Sequence, residues 1–489
     1  MGEPSNNQDA LEARIPPSCP ASISGILTQA WNHDLASLKP LLDVPGRASV
    51  QEPTTGETPL HAAIRSCGAA GAAASDLEAA KNVLEELFFN GAIWNDVDSN
   101  NETPGCVAAR LGQADLYEMC IGAGVRAELL FGLLESYEEL ESMDEDDDED
   151  EEVVDITADA AAPDGEEVPD LVVETNNEGH AAEKQPTKKK EEEEEEETEI
   201  LESNPDRAFV APSTSEAQAS QVDSAEYLRS NLTYSAGKLT DDAANGVMMA
   251  WETSIMRASV DTLLPEQQPG RKVLNIGFGM GIIDGMFAAT KPARHHIIEA
   301  HPDVLSHIAT SPDCQFGPAW EASAPAPGAY KVHAGKWQDV VPKLLEAGET
   351  YDAIYFDTFG EDYAQLRMFF TEHVPGLLEE EGRFGFFNGL GADRQICYDV
   401  YTKVVEMHLS DAGMDVAWQE MDVDMQGLQE EGKGEWEGVK RRYWTLNSEY
   451  SFLLLSYSTP FFSFQTMLTN MYRRIPTTNL HFHEVKKIK

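Results

Sequence analysis

Between Val273 and Leu409 the apolar positions follow two alternating rhythms. Short continuous runs, Val273 to Gly277, His296 to Glu299, Lys331 to Ala334, Tyr351 to Asp357 and Arg383 to Asn388, read as strands buried on both faces. Between them the apolar residues take helical spacing: Ile282 to Ala289, Asp303 to Ala309, Val340 to Ala347, Tyr363 to Leu378 and Gln395 to Leu409. Leu366, Phe369, Phe370, Val374, Leu377 and Leu378 mark one apolar face, as do Cys397, Val400, Tyr401 and Val404. Such alternation predicts an α/β domain with a mostly parallel sheet covered by helices, and ligands at the carboxyl ends of its strands.

The first strand is broken by Gly277, Gly279 and Gly281, and its helix starts at Ile282. The second strand ends in Glu299, 22 positions beyond Gly277, where a βαβ unit places a carboxylate against a ribose diol. The unit should hold an adenosine. Dinucleotide binding requires a third glycine where Ile282 stands, so the loop reads G-x-G-x-G, which brings backbone close to a ligand without demanding a phosphate. That suits the amino-acid end of S-adenosylmethionine, and a nicotinamide dehydrogenase is the weakest alternative. The other strand ends carry Trp337 and Gln338, and Asp357. Taken singly, Trp337 could be a core aromatic and Asp357 a helix N-cap; their order is more specific than any one of them.

Upstream of this domain the chain changes character. Residues up to about Ser22 read as disordered, and 22–137 as helical, with Thr58-Pro59-Leu60-His61-Ala62-Ala63 matching the ankyrin-repeat signature. A degraded copy, Thr103-Pro104 with Ala108-Ala109, follows 45 residues later. Segment 138–218 is acidic and of low complexity, which predicts a disordered linker. The formal net charge is −52, and between Glu138 and Glu199 there are 29 acids against 4 lysines, so roughly half of the excess lies in one short stretch. Direct nucleic-acid binding is disfavoured, and basic proteins are the partners such charge attracts. Six cysteines without metal spacing predict reduced thiols in the cytoplasm and nucleus, and no run is long enough to span a membrane.

One further stretch, Gly246 to Met256, carries Met248, Glu252 and Met256. Methionines make soft contacts that suit a sulfonium, although at this spacing they also suit a core. Glu252 and Asp357 together supply two carboxylates that could face one planar cation, as a guanidinium prefers.

VLNIGFGMGI, HHIIEAH, AGKWQDVVPKL, YDAIYFDTF and GVMMAWETSIM together resemble the fungal protein arginine N-methyltransferase 2 family, type IV enzymes acting on the δ-nitrogen of arginine, and its relative guanidinoacetate N-methyltransferase. The likeness runs from about Tyr227 to Trp444 and extends to the ankyrin-like region. It implies a Rossmann-like class I S-adenosylmethionine methyltransferase domain over 219–446, with cofactor contacts from Met248, Met256, Phe278, Gly279, Met280, Gly281, Ile282, Ile283, Glu299, Ala300, His301, Trp337, Gln338 and Asp357. Tyr234, or else Tyr227, should reach the cofactor too. By analogy with the guanidinoacetate enzyme, Glu252 and Asp357 would hold the guanidinium, with Asp357 taking the proton, and Asn388 would line the substrate side. The resemblance further points to a basic, ribosomal protein substrate; a monomer is expected, and the chemistry requires no metal. His295-His296 are placed ahead of a strand, and His481 and His483 are as readily surface residues as ligands. Two rivals remain, a small-molecule guanidino methyltransferase and a non-catalytic ankyrin interaction protein. Two departures from the family stand out: Asn275 where relatives often carry an acid, and a tail, 447–489, that runs past the usual final strand and reads as an altered C-terminus.

Overall fold

The computed structural model describes residues 7–68, 74–143, 224–235, 237–421, 434, 436–446 and 452–458 of the 489. The chain divides into two compact units, Met1–Leu134 with Pro212–Lys489, and Glu135–Ala211. The acidic stretch lies outside the described residues from Asp144 onward.

The N-terminal part is helical: α1 (Leu11–Arg14), α2 (Ala21–Trp31), α3 (Leu35–Leu42), α4 (Pro59–Arg65), α5 (Ala74–Phe89), α6 (Pro104–Arg110) and α7 (Ala114–Met143). α4 packs against both α2 and α6, with α3 beside α2 and α5 beside α4. The two similar sequence stretches build the same local structure. Thr58 caps α4 by accepting the His61 N–H at 3.3 Å, and Thr103 caps α6 by accepting that of Cys106 at 3.2 Å, each followed by a proline at a helix position that has no hydrogen bond to lose. His61 also spans the turn, its Nδ1 2.8 Å from Thr58 Oγ1 and its Nε2 2.9 Å from the Glu102 carbonyl. Disorder up to Ser22 is not what the structure has from Asn7 on. Arg14 is buried, with Nε 2.8 Å from Glu57 and Nη2 2.5 Å from Asp98; Arg65 joins the same two acids, so this segment supplies a charge that the buried carboxylates need.

After α8 (Ser224–Tyr227), strands β1 (Thr233–Ser235), β2 (Lys238–Thr240) and β3 (Gly246–Met249) form a small antiparallel sheet that the apolar rhythm did not disclose, since each strand is short. A 3-10 turn, Ala250–Glu252, then leads into α9 (Thr253–Leu263).

The main sheet is parallel throughout, in the order β6-β5-β4-β7-β8. Its strands are β4 (Lys272–Ile276), β5 (Arg294–Glu299), β6 (Tyr330–Ala334), β7 (Tyr351–Phe356) and β8 (Leu378–Phe386). The connecting helices are α10 (Ile282–Ala289), α11 (Pro302–Thr310), the short α12 (Pro318–Ala322), α13 (Trp337–Glu346), α14 (Tyr363–Met368) and α15 (Val374–Leu377), and α16 (Gln395–Asp411) follows β8. Val273, Leu274 and Ile276 are fully covered, as a strand with neighbours and helices on all sides must be. The chain builds outward from β4 to β6, then returns to lay β7 against the other side of β4, so the switch point lies between β4 and β7.

Two expected elements are revised. The helix expected over Tyr363 to Leu378 is interrupted by a π-helical segment, Phe369–His373. Pro375 at the start of α15 brings no N–H to continue the ladder. His295 and His296 do not precede a strand but lie buried within β5, because each ring has a partner: Asp284 at 2.9 Å and the Tyr351 hydroxyl at 2.8 Å. In the C-terminal region, β10 (Phe452–Ser458) pairs antiparallel with β9 (Asp415–Met421), so the atypical tail does supply a strand; 459–489 lie outside the described residues.

Candidate active site

The carboxyl ends of β4, β5 and β7 meet at the switch point. Gly277 takes φ +91°, and a Cβ there would stand 1.9 Å from the Asp357 carbonyl oxygen, so the ends of β4 and β7 can approach this closely only with glycine. Asn275, where an acid was expected, donates from Nδ2 to the Gly277 carbonyl at 2.9 Å and to Asp284 at 2.7 Å. Asp284, from α10, is held between Asn275 and His295.

Glu299, 6% exposed, anchors the turn from the next strand. Its Oε2 accepts the Phe278 N–H at 2.9 Å and its Oε1 that of His301 at 2.6 Å. Burial pushes its pKa above the ordinary carboxyl value, opposed by the N–H groups of His301, Phe278, Ala300 and Gly279.

Tyr234 and Met248 flank the same turn. The Tyr234 hydroxyl donates to the Gly279 carbonyl at 2.9 Å, with its ring stacked 4.0 Å from that of His307. The Met248 sulfur receives the Met280 N–H at 3.2 Å. Met256 and Ile283 are buried in the core beside Met248, with Met280 and Ile282 partly buried against it. Phe278 packs edge-on to Phe316. Tyr227 also belongs here: burial raises its phenol far above the ordinary range, and Glu299, Tyr234 and Asp357 add to the rise.

Asp357 follows β7, its N–H bonded to the Ile276 carbonyl at 2.8 Å. Its Oδ2 is covered and has no hydrogen-bond partner, and the same holds for Thr358 Oγ1 beside it. Burial lifts the Asp357 carboxyl to about 7. Glu252 ends the 3-10 turn, 3% exposed, and its Oε1 accepts the Met249 N–H at 2.8 Å and the hydroxyl of Tyr443. The two acids share a neighbour. Burial first, then Asp357 and Glu252 in turn, drive the fully covered Tyr355 phenol well above its ordinary range. Tyr355 went unmarked in the sequence although its place two residues before Asp357 puts both on one strand face. Tyr443, from the far end of the chain, left no local signal.

Three expected contacts are engaged within the protein. Trp337 begins α13 and is packed among Phe356, Phe369 and His373, its Nε1 donating to Glu361 at 3.2 Å. Gln338 Nε2 donates to Gln365 at 3.0 Å, leaving its Oε1 covered without a partner. The His301 ring caps α11, with Nδ1 accepting from Asp303 at 3.1 Å and Nε2 3.0 Å from the Tyr227 carbonyl. Asn388, expected to line the substrate side, donates from Nδ2 to Thr402 at 3.2 Å, and its covered Oδ1 is unpartnered.

A parallel sheet with this strand order, a glycine turn after its first strand and a buried acid closing the second define a Rossmann-like methyltransferase. Comparison with known proteins agrees with that class and narrows it. A family model described as guanidinoacetate N-methyltransferase matches residues 233–414. A Gibberella zeae protein named Protein arginine N-methyltransferase 2 is 55% identical over 447 residues, 90% of this chain and 94% of its own. A Neurospora crassa protein of the same name is 58% identical over 444 residues, 90% and 97% of the two chains. The chain belongs to the protein arginine N-methyltransferase 2 family. Among solved structures, a putative methyltransferase from Streptococcus mutans matches at TM-score 0.29 and 12% identity, over 47% of this chain and 55% of its own, too slight a likeness to argue from.

Proposed function

We propose that the chain is an S-adenosylmethionine-dependent protein-arginine methyltransferase that places one methyl group on the δ (N5) nitrogen of arginine in basic proteins. Family membership supports arginine as the acceptor. The observation that carries the site assignment is the covered, unpartnered Asp357 Oδ2 at the carboxyl end of β7, beside the glycine turn that Glu299 anchors.

The residues present fit the methyl donor. Covered polar atoms without partners, Asp357 Oδ2, Thr358 Oγ1 and Gln338 Oε1, belong to residues just past the strand ends, where a polar ligand would satisfy them. Glu299 would hold the ribose hydroxyls; Tyr234, Met248, Met256 and the segment Phe278 to Ile283 would enclose the rest, with Ala300, His301, Trp337 and Gln338 along the adenosine side. When bound, S-adenosylmethionine supplies a methyl group on a positively charged sulfur.

The chain's own residues would position the arginine and manage its charge. A resting guanidinium keeps its proton above pH 12 and offers no free lone pair, so a carboxylate near 7 does not deprotonate it beforehand. Glu252 and Asp357 would instead orient the cation by charge-assisted hydrogen bonds, drawing positive charge away from the attacking nitrogen. As that nitrogen gains its fourth bond its N–H becomes strongly acidic, and Asp357 is the base we assign to it.

We further read the N-terminal helix pairs as ankyrin-like repeats and the acidic segment as an attractor of basic substrate; ribosomal proteins suit that charge. A monomer in cytoplasm and nucleus completes the proposal. The matching guanidinoacetate model favours a second reading, a small-molecule acceptor. Mass spectrometry of arginine products, separating N5-methylarginine from the terminal isomers, with guanidinoacetate assayed in parallel, tests both. Terminal-nitrogen products would overturn the δ-nitrogen assignment, and methylated guanidinoacetate with unlabelled protein would overturn the protein acceptor.

A further inference from the structure

Helix α16 is shared between the helical and catalytic parts of the chain. Ile396, Val400 and Val404 lie in one apolar core with Leu60, Val107 and Leu116 of the N-terminal helices, whereas Val405 and Leu409 belong to the core over the main sheet. The approach is close at two glycines. A Cβ on Gly105 would stand 2.6 Å from the Ile396 side chain, and one on Gly124 2.7 Å from that of Val400. Polar contacts follow the same seam: the Tyr117 hydroxyl donates to Asp399 at 2.6 Å, Arg394 Nη2 to Asn101 Oδ1 at 2.7 Å, and Arg367 Nη1 to the Gly132 carbonyl at 3.1 Å.

The residues leading into α16 connect this seam to the acids. Asn388 is tied to Thr402 of α16 at 3.2 Å. The Ala392 carbonyl accepts the Thr445 N–H at 3.0 Å, and the Asp393 carbonyl its hydroxyl at 3.1 Å. Phe387 lies edge-on to Tyr443, 6.3 Å between ring centres, and Tyr443 donates to Glu252. A continuous line of contacts therefore runs from Asn101 through Arg394, the 387–394 loop and the 443–445 segment to Glu252.

We propose that the N-terminal helical region is a positioning part of the catalytic centre: by holding Arg394 and α16 it sets the 387–394 loop, and through Thr445 and Tyr443 it sets Glu252. A region that only recruits substrate would need no shared core with α16 and no tie to the loop. The inference rests on the reading that Glu252 grips the guanidinium. Arg394 and Tyr117 are positioning residues, since they act through Tyr443 and α16.

The test uses the full chain carrying Arg394→Met, and separately the milder Tyr117→Phe, which keeps the ring and removes the bond to Asp399. Two acceptors are compared: extracted ribosomal proteins, and N-acetyl-argininamide, which is too small to reach a docking surface. In Arg394→Met, kcat/KM with both acceptors is expected to fall together by about fivefold or more, with a smaller fall in the same direction for Tyr117→Phe. Hydrogen–deuterium exchange is expected to rise in 387–394 and 443–445 and to stay unchanged in β4 and β7. Undiminished turnover of the small acceptor, or unchanged exchange in those two segments, overturns the proposal. Should the unsubstituted chain methylate neither acceptor, the functional reading fails, and the exchange data alone decide whether the N-terminal region positions the loop.

Discussion

Asp357 is the residue on which chemistry and stability pull in opposite directions. Burial raises its carboxyl from 3.8 to about 7, so between those values the folded chain keeps a proton that the unfolded chain has released. This stabilising contribution is complete at low pH and is lost as pH rises through about 7. Asp357→Asn removes the loss. Thermal melts should show the variant more stable at pH 8, by on the order of 1–3 kcal/mol, with the gap narrowing toward pH 4; equal melting at pH 8 would count against a strained carboxylate. The same substitution removes the base, so methyl transfer should fall by roughly 10²–10⁴-fold while equilibrium binding of the methyl donor persists. For the unsubstituted chain, kcat/KM should rise with pH through about 7 as Asp357 ionises. Glu252 differs in kind. Glu252→Gln keeps an acceptor for the Met249 N–H and the Tyr443 hydroxyl but loses the charge. The expected outcome is a KM for the arginine acceptor raised by about tenfold, with donor affinity unchanged by calorimetry.

At the level of the element, the glycine turn separates two kinds of glycine. Gly277 meets the Asp357 backbone oxygen and has nowhere to move it, whereas Gly279 meets the flexible end of Met248. Both have positive φ, so both lose stability on substitution, yet the costs differ. Gly277→Ala should destabilise by about 3 kcal/mol or more and abolish donor binding. Gly279→Ala should cost about 1 kcal/mol and weaken binding only partly. Paired denaturation curves and donor titrations check the contrast, and equal effects would show that the turn does not depend on the approach of β7 to β4. Much of this element could be read from the sequence: the turn, the helix starting at Ile282 and the acid closing β5 all lie where periodicity placed them. The π-helical break after Met368 could not be read, since Phe369 and Phe370 continue the apolar face that a regular helix would show.

Across the whole molecule, the formal charge of −52 acts over distance and is open to salt. Raising ionic strength from about 50 to 300 mM shortens the screening length about 2.5-fold, from roughly 14 to roughly 6 Å, and should raise KM for a basic protein while leaving kcat nearly constant. Turnover of N-acetyl-argininamide, a single charge, should change little. An equal salt effect on both acceptors would argue against long-range attraction as the role of the acidic segment. The helical N-terminal part is joined to α16 through a common core, so its removal should expose Ile396, Val400 and Val404 and cost stability as well as any substrate contact.

The sequence by itself determined the alternating strands and helices, the glycine turn and the acid at the end of β5, because these depend on periodicity and backbone freedom among residues near in the chain. It also marked Glu252 and Asp357 as a candidate pair, first from the chemistry of two carboxylates facing one planar cation and then from resemblance. Only the tertiary structure brought Tyr355 and Tyr443 to those acids, turned Trp337 and His301 toward partners within the protein, and made α16 common to two cores. Those outcomes are set by which surfaces meet when distant segments pack, and nothing in a local window of residues encodes that choice.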